Sequence, residues 1–198
     1  MYLKYGKRII DFILAFIAFI AFSWLFLLIA AAIKVTSRGS IFFRQRRVGC
    51  CGKQFYILKF RTMKIDTPKD VPTHLLKDPE QYITRVGKFL RKTSLDELPQ
   101  LINILYGQMA IVGPRPALWN QKDLLQEREK YGANDIRPGL TGWAQVNGRD
   151  ELQIMEKARL DGIYVKKMGF FFDLGCILKT IQCVLKHKGV KEGGTKGI

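Results

Sequence analysis

Acidic residues are almost missing from the first third of this chain. Residues 1–64 hold one, Asp11, against twelve Lys and Arg, whereas residues 65–198 hold sixteen against twenty-one. Histidine and cysteine are scarce too: only His74 and His187, and Cys50, Cys51, Cys176 and Cys183. No spacing among them resembles a zinc site. Cys50 and Cys51 are adjacent, which disfavours an ordinary disulfide, and Cys176 and Cys183 stand seven residues apart on one helix face, too distant to bridge. A disulfide framework is therefore excluded, and reduced thiols in a cytosol-facing domain are the simplest account. Repeats and low-complexity tracts are absent. So are a Walker A loop, a Rossmann glycine run, an RNA-recognition motif and the D-x-D pair that metal-dependent sugar transferases often carry.

What is present is apolar and basic. Of 198 residues 47% are hydrophobic and 25% charged, ample for one packed domain with an appendage and too apolar for disorder. A net charge of +16 points to a phosphate-rich partner, either nucleic acid or an anionic membrane face. Phe12 to Ile33 decides between them: 22 residues carry no charge. As a helix they span about 33 Å, close to the ~30 Å of bilayer hydrocarbon. The run exceeds a signal-peptide core and lacks a small-residue cleavage site, and it is apolar on every face, unlike a soluble core helix. It is expected in lipid, and nucleic acid is not expected as a partner. Lys4, Lys7 and Arg8 precede it, and Lys34, Arg38, Arg44, Arg46 and Arg47 follow, so both flanks favour the cytoplasmic side. A re-entrant helix that dips, bends and returns satisfies both flanks; a spanning helix is the other reading. Ser23, at mid-run, offers a hydroxyl that bends a helix slightly, though no proline accompanies it.

Ser40–Val48 and Gln54–Met63, rich in β-branched and aromatic residues and separated by Gly49–Lys53, predict a basic β-hairpin. Ile65–Gln81, with Pro68, Pro72 and Pro79, reads as a loop, a candidate lid. A helix is expected from Ser94 with Leu95, Leu98, Leu101, Ile102 and Leu105 on its apolar face. Gly107–Pro116 is turn-rich, Leu118–Lys130 reads as a charged helix and Arg137–Arg149 as a Gly-rich loop. Near the C-terminus Phe170, Phe171, Leu174, Ile177, Leu178, Ile181, Val184 and Leu185 share one helix face. That face either packs on the core or lies in a lipid headgroup layer. Gly189–Ile198 reads as a frayed end.

Ser94-Leu95-Asp96-Glu97 also carries two readings. One is a capping box, with Ser94 as N-cap and Glu97 reaching back. The other is chemical. Arg91 and Lys92 lie just upstream, and Gly113-Pro114-Arg115-Pro116 holds Arg115 on an extended backbone, because each proline disfavours α conformation in the residue before it. A helix N-terminus beside converging arginines binds phosphate. A carboxylate there can hold Mg²⁺ against a diphosphate or attack phosphorus. Adjacent helical residues point about 100° apart, so Asp96 and Glu97 can divide those jobs. Positive surroundings are expected to keep both ionised.

These residues resemble a known family. The run from Arg85 through Ser94-Leu95-Asp96-Glu97-Leu98-Pro99-Gln100-Leu101 is similar to the core of the bacterial sugar transferases, the monotopic phosphoglycosyl transferases. Val112–Pro116 and the stretch from Arg137-Pro138-Gly139 through Trp143-Ala144-Gln145-Val146-Asn147-Gly148-Arg149 match further motifs in the same order. So do Lys7-Arg8-Ile9-Ile10-Asp11, Lys59-Phe60-Arg61-Thr62-Met63, and Asp161 with Tyr164-Val165. The likeness spans essentially the whole chain and is to the small form, without extra transmembrane helices. It implies transfer of a sugar-1-phosphate from a UDP-sugar to a polyprenyl phosphate, with release of UMP. It further implies a covalent phosphosugar intermediate on Asp96, Glu97 as its partner, and Mg²⁺ held by these two. Arg91, Arg115 and Arg149 carry over as phosphate-facing residues, with Lys59, Arg137 and Asp161 beside them. Four positions depart: the family's Ser-Pro at the helix bend is Ser23-Trp24 here, Gln108 and Ala110 replace an acidic residue and a serine, and Gly169 replaces a serine.

The expected architecture is mixed α/β and helix-rich. Residues 1–36 form the membrane-embedded re-entrant helix. Residues 37–198 form a catalytic domain with a small β-hairpin sheet and amphipathic interfacial helices, on the cytosolic face of a bacterial inner membrane. Its partners would be the UDP-sugar, the polyprenyl phosphate and membrane lipid, with no oligomeric state implied. A non-catalytic, membrane-anchored basic module that binds anionic lipid or a partner is the alternative; it explains the charge but not the Asp-Glu-Arg arrangement.

Overall fold

The computed structural model describes residues 2–67, 79–148 and 151–186. Arg149, His74, His187, most of the expected 65–81 loop and the Gly189–Ile198 end lie outside them. The architecture is mixed α/β, rich in helix with little sheet.

The apolar run forms two helices, α1 (Lys7–Ala21) and α2 (Ser23–Thr36), bent by 60° where the backbone of Phe22 leaves helical geometry (φ −96°, ψ 6°). No proline makes this bend. Phe19 and Phe26 meet edge to face across it, 5.3 Å between centroids. Among the described residues no single helix is long and apolar enough to cross a membrane; α1 and α2 meet that test only together. One stripe of each is buried, Asp11 and Ala15 on α1, Ile29 and Ile33 on α2, while Phe16, Ile17, Ile20, Trp24, Leu27 and Leu28 face outward.

The expected hairpin is present. β1 (Phe42–Val48) pairs antiparallel with β2 (Gln54–Phe60), from Phe42 opposite Phe60 to Val48 opposite Gln54. Alternation sends Phe55 and Ile57 into the core and Tyr56 outward, as a half-buried strand requires. A short β4 (Ala117–Leu118) joins the far side of β1, giving the order β2-β1-β4. Leu118 is therefore in a strand, and the charged helix α5 spans only Lys122–Glu129. A second, parallel pair joins β3 (Ala110–Val112) to β5 (Gly139–Thr141). The segment read as a Gly-rich loop thus contains a strand and a short helix, α6 (Trp143–Val146). Glycine is needed just after β3 because the chain there lies tightly beside the start of β5: a Cβ on Gly113 would stand 2.5 Å from the Arg137 carbonyl oxygen.

Three apolar clusters tie these pieces together among the described residues. α1 packs on β2 and on α4 (Gln100–Leu105) through Ala15, Phe55, Ile57, Leu101 and Ile104. α2 packs on Phe60 and on Leu90 of α3 (Arg85–Lys92). Val112, Tyr164 of α7 (Ile154–Lys167) and Cys176 of α8 (Phe170–Leu185) form the third. A polar network joins the chain start to α8: the Tyr2 hydroxyl and Lys7 Nζ donate to Asp173, the Tyr164 hydroxyl lies 2.9 Å from Asp173 and from the Val112 carbonyl, and the Ile111 N–H donates to Asp11. Of the two placements open for the C-terminal apolar face, the core-facing one is not found. α8 buries Asp173 and Cys176 and turns Phe171, Leu178, Ile181 and Leu185 outward, Phe171 83% exposed.

Phe60 touches Phe26 edge to face and stacks on Phe42. Truncating it to alanine is expected to cost about 3–5 kcal/mol, read as a lowered unfolding midpoint in detergent. Tyr56→Ala, on the same strand but facing outward, should stay within about 0.5 kcal/mol.

Candidate active site

The chain reaches the acidic pair by ending one helix rather than starting another. Thr84 caps the start of α3, its hydroxyl accepting from the Gly87 N–H at 2.9 Å. At the other end Ser94 takes a left-handed conformation (φ 57°, ψ 15°). This is the position just past a helix C-cap that closes the last turn, and Ser94 N–H donates to the Arg91 carbonyl at 3.1 Å. The capping box is therefore not formed: Ser94 makes no side-chain cap and Leu95–Glu97 is a single 3₁₀ turn. α4 begins only at Gln100, with Pro99 at its N-cap, where a missing N–H costs little. The phosphate-binding helix N-terminus expected at Ser94 is consequently absent, and the positive field comes from side chains instead.

Those side chains arrive from three directions. Lys59 Nζ, from β2, lies 2.7 Å from Glu97 Oε1, and Arg115 Nη2, from the loop after β3, lies 3.3 Å from the same oxygen. Glu97 is buried and Asp96 half-buried. Among the described residues Asp96 makes neither a hydrogen bond nor an ion pair, yet Lys59, Arg91 and Arg115 all act on it electrostatically. Burial nevertheless raises the Asp96 carboxyl above its ordinary range, with Glu97 adding to the rise and the three cations opposing it. Positive surroundings were expected to keep both carboxylates ionised; at Asp96 the three cations do pull that way, but desolvation is the larger effect and opposes them. Burial also pushes the Lys59 ammonium down, while Glu97 holds it up.

Five of the residues singled out from the sequence thus surround one turn: Lys59, Arg91, Asp96, Glu97 and Arg115. Asp161 and Arg137 stand apart from it. Asp161 is buried behind the site on α7 and is gripped by Arg128 of α5, Nε at 2.8 Å and Nη2 at 2.7 Å from Oδ2. Arg128 Nη1 donates to the Arg115 main-chain carbonyl at 2.9 Å, so Asp161 acts on the loop through Arg128 rather than facing phosphate. Arg137 is exposed and donates to the Gly107 carbonyl at 3.0 Å, where Arg8 also caps the end of α4 through Ile104 and Leu105.

Two residues that sequence reasoning passed over hold this geometry. Arg128 is one; its buried guanidinium was hidden in a charged helical stretch. Asn103 is the other. Fully buried on α4, it accepts from Leu58 N–H at 2.9 Å and donates to the Tyr56 carbonyl at 2.8 Å, pairing with the open edge of β2 just before Lys59. An asparagine on an apolar helix face was the available signal. As to metal, no group of three or more His, Cys, Asp or Glu among the described residues is arranged to hold one. Two adjacent carboxylates, without a third acid, do suit Mg²⁺, which takes one or two protein carboxylates and completes its shell with phosphate oxygens and water.

Comparison with known proteins adds to this geometry. The bacterial sugar transferase family model matches residues 2–187. The chain is 38% identical over 186 residues to the uncharacterized sugar transferase EpsL of Bacillus subtilis (strain 168), covering 94% of this chain and 90% of that protein. It is 38% identical over 198 residues to the exopolysaccharide production protein ExoY of Rhizobium meliloti (strain 1021), covering 93% and 87%. Identity reaches 42% over 183 residues with the UDP-glucose:undecaprenyl-phosphate glucose-1-phosphate transferase of Escherichia coli (strain K12), covering 88% of this chain but 39% of that longer protein.

Removing Arg128 alone strands the buried Asp161 carboxylate. Arg128→Met is expected to destabilise the fold by about 3–5 kcal/mol in chemical denaturation, whereas the double variant Arg128→Met/Asp161→Leu should recover most of that loss.

Proposed function

The chain belongs to the bacterial sugar transferase family, and from that premise we propose that it moves a sugar-1-phosphate from a UDP-sugar to a polyprenyl phosphate in the membrane, releasing UMP. The observation that carries this reading is the division of labour within the acidic pair: Glu97 is held by Lys59 and Arg115, while Asp96, in the same positive field, makes no hydrogen bond or ion pair among the described residues.

In this scheme an Asp96 carboxylate oxygen attacks the phosphorus that bears the sugar. The new bond joins that oxygen to phosphorus, and the bond to UMP breaks. A polyprenyl phosphate oxygen then attacks the same phosphorus and returns the Asp96 carboxylate. One nucleophile serves two successive displacements, so the soluble donor and the lipid acceptor need not bind together. Lys59, Arg91 and Arg115 would stabilise charge on the transferring phosphoryl oxygens. Asp96 and Glu97 would hold Mg²⁺, which when bound neutralises the donor diphosphate. Arg149, outside the described residues, is retained as a phosphate-facing candidate.

The bent helix pair supports a placement at the membrane. α1 and α2 have 15 and 14 residues, each too short to cross alone. A symmetric V with that bend reaches only about 11 Å below its ends, within one leaflet. This geometry, with basic flanks at both ends, favours the re-entrant reading and a cytosolic active site. α8 would lie beside it in the headgroup layer with its apolar face in lipid.

Membranes containing the protein, given undecaprenyl phosphate, Mg²⁺ and a panel of UDP-sugars, are expected to release UMP with one or a few donors. Asp96→Asn should lower that release by on the order of a thousandfold or more while leaving the protein folded and membrane-bound. Substantial turnover in this variant would overturn the nucleophile assignment. Turnover unaffected by EDTA would remove the metal.

A further inference from the structure

The turn between β1 and β2 carries two thiols that the transferase chemistry does not use. Adjacent residues in a strand point to opposite faces. Here Cys51 is left-handed (φ 54°, ψ 35°), and the turn folds its side chain back toward that of Cys50, so the two sulfurs lie 3.5 Å apart. The segment of Asn134 and Asp135 holds both: the Cys51 N–H donates to the Asn134 carbonyl at 2.8 Å, and the Cys50 thiol donates to the Asp135 carbonyl at 3.0 Å. Cys51 is exposed and Cys50 half-buried.

A disulfide fits this arrangement poorly. It needs sulfurs about 2.05 Å apart and Cα atoms at least about 4.4 Å apart, whereas neighbouring trans residues have theirs near 3.8 Å. One bridging atom fits well. An atom bound at about 2.3 Å by each of two sulfurs, as zinc is, keeps them about 3.5–3.8 Å apart. A structural zinc site would want four ligands, and no third acid, histidine or cysteine is arranged with these two among the described residues. The fitting ligand is therefore one that supplies its own third substituent.

We propose that Cys50 and Cys51 form a dithiol chelate for a trivalent metalloid, specifically a monosubstituted arsenical. With an organoarsenic oxide, two sulfur–arsenic bonds form, two S–H bonds break, and the oxide oxygen leaves as water carrying both protons. No oxidation state changes and no further reactant is needed. Burial and the neighbouring thiol push Cys50 above the usual thiol range, so it rests as the thiol that donates to Asp135 and gives up its proton as the sulfur–arsenic bond forms. Cys176 is buried and stands seven residues from Cys183 along α8, about two helical turns, so that pair cannot close on one atom.

The test exposes the purified, lipid-embedded chain to phenylarsine oxide and reads intact mass. One adduct per chain is expected, retained in excess monothiol and released by a small dithiol. Cys51→Ser, Cys51→Gly and Cys50→Ser should each weaken retention by about a hundredfold or more, the loss expected when a two-point attachment becomes single. Cys176→Ser/Cys183→Ser should retain it in full. An unfolding midpoint matching that of the parent chain confirms that each variant is folded. Retention undiminished in Cys50→Ser or in Cys51→Ser, or an adduct that a monothiol strips as easily from the parent chain, would overturn the proposal.

Discussion

The site is organised around the buried carboxylate of Glu97. A charge taken out of water is tolerated only when paired, and here one carboxylate oxygen is shared by Lys59 and Arg115. Lys59 comes from the hairpin, Glu97 from the turn after α3, and Arg115 from the loop after β3. Burial disfavours the Lys59 ammonium and Glu97 favours it, so the charged lysine is held by the presence of its partner. This contact fixes three separately folded segments around one point, and it leaves Asp96, on the same turn, without a direct bond among the described residues.

Each arm of that contact is braced from behind. Asn103 pairs with the main chain of β2 immediately before Lys59, taking the place a further strand would fill. The Arg128–Asp161 pair carries the Arg115 carbonyl and connects the loop to two helices. Gly113 and Gly139 let β3 approach β5 so closely that the loop backbone is bonded on both sides, Gly113 N–H to Thr141 and Gly139 N–H to Pro114. Side chains held this way present charge at fixed positions, the arrangement that stabilises a transferring phosphoryl group with little reorganisation.

Apolar exposure is distributed as deliberately as charge. α1, α2 and α8 each bury one stripe and leave another, of large apolar side chains, open. Lys7 bridges Asp11 and Asp173, and Tyr2 and Tyr164 also bond Asp173, so the first helix and the last are locked together through polar groups. The Ile111 N–H bonded to Asp11 continues that link into β3, the strand leading to Arg115. The elements proposed to meet lipid are thus joined by direct contacts to the elements proposed to meet phosphate.

Much of this was legible in the sequence wherever the signal was local. β-branched and aromatic residues on either side of Gly49–Lys53 marked the hairpin, and 22 uncharged residues marked the apolar run. The Asp-Glu pair with its neighbouring basic residues marked the site, because residue types needed together for phosphate chemistry were close along the chain. Other features depended on partners far away in sequence. Ser94 reads as a helix N-cap from its successors, but the end of α3 and the packing of Leu90 make it a left-handed terminator. Gly139–Thr141 reads as a loop until β3 lies beside it. The resemblance set Asp161 and Arg137 beside the phosphate-facing residues, but not the partners they bond, Arg128 33 residues away for one and the Gly107 carbonyl for the other. The sequence by itself determined which segments were apolar, basic or hairpin-forming, since those depend on neighbours a few residues apart. Only the tertiary structure decided which charges meet, because burial leaves a carboxylate no solvent to turn to and its partner is whichever cation the fold brings within reach.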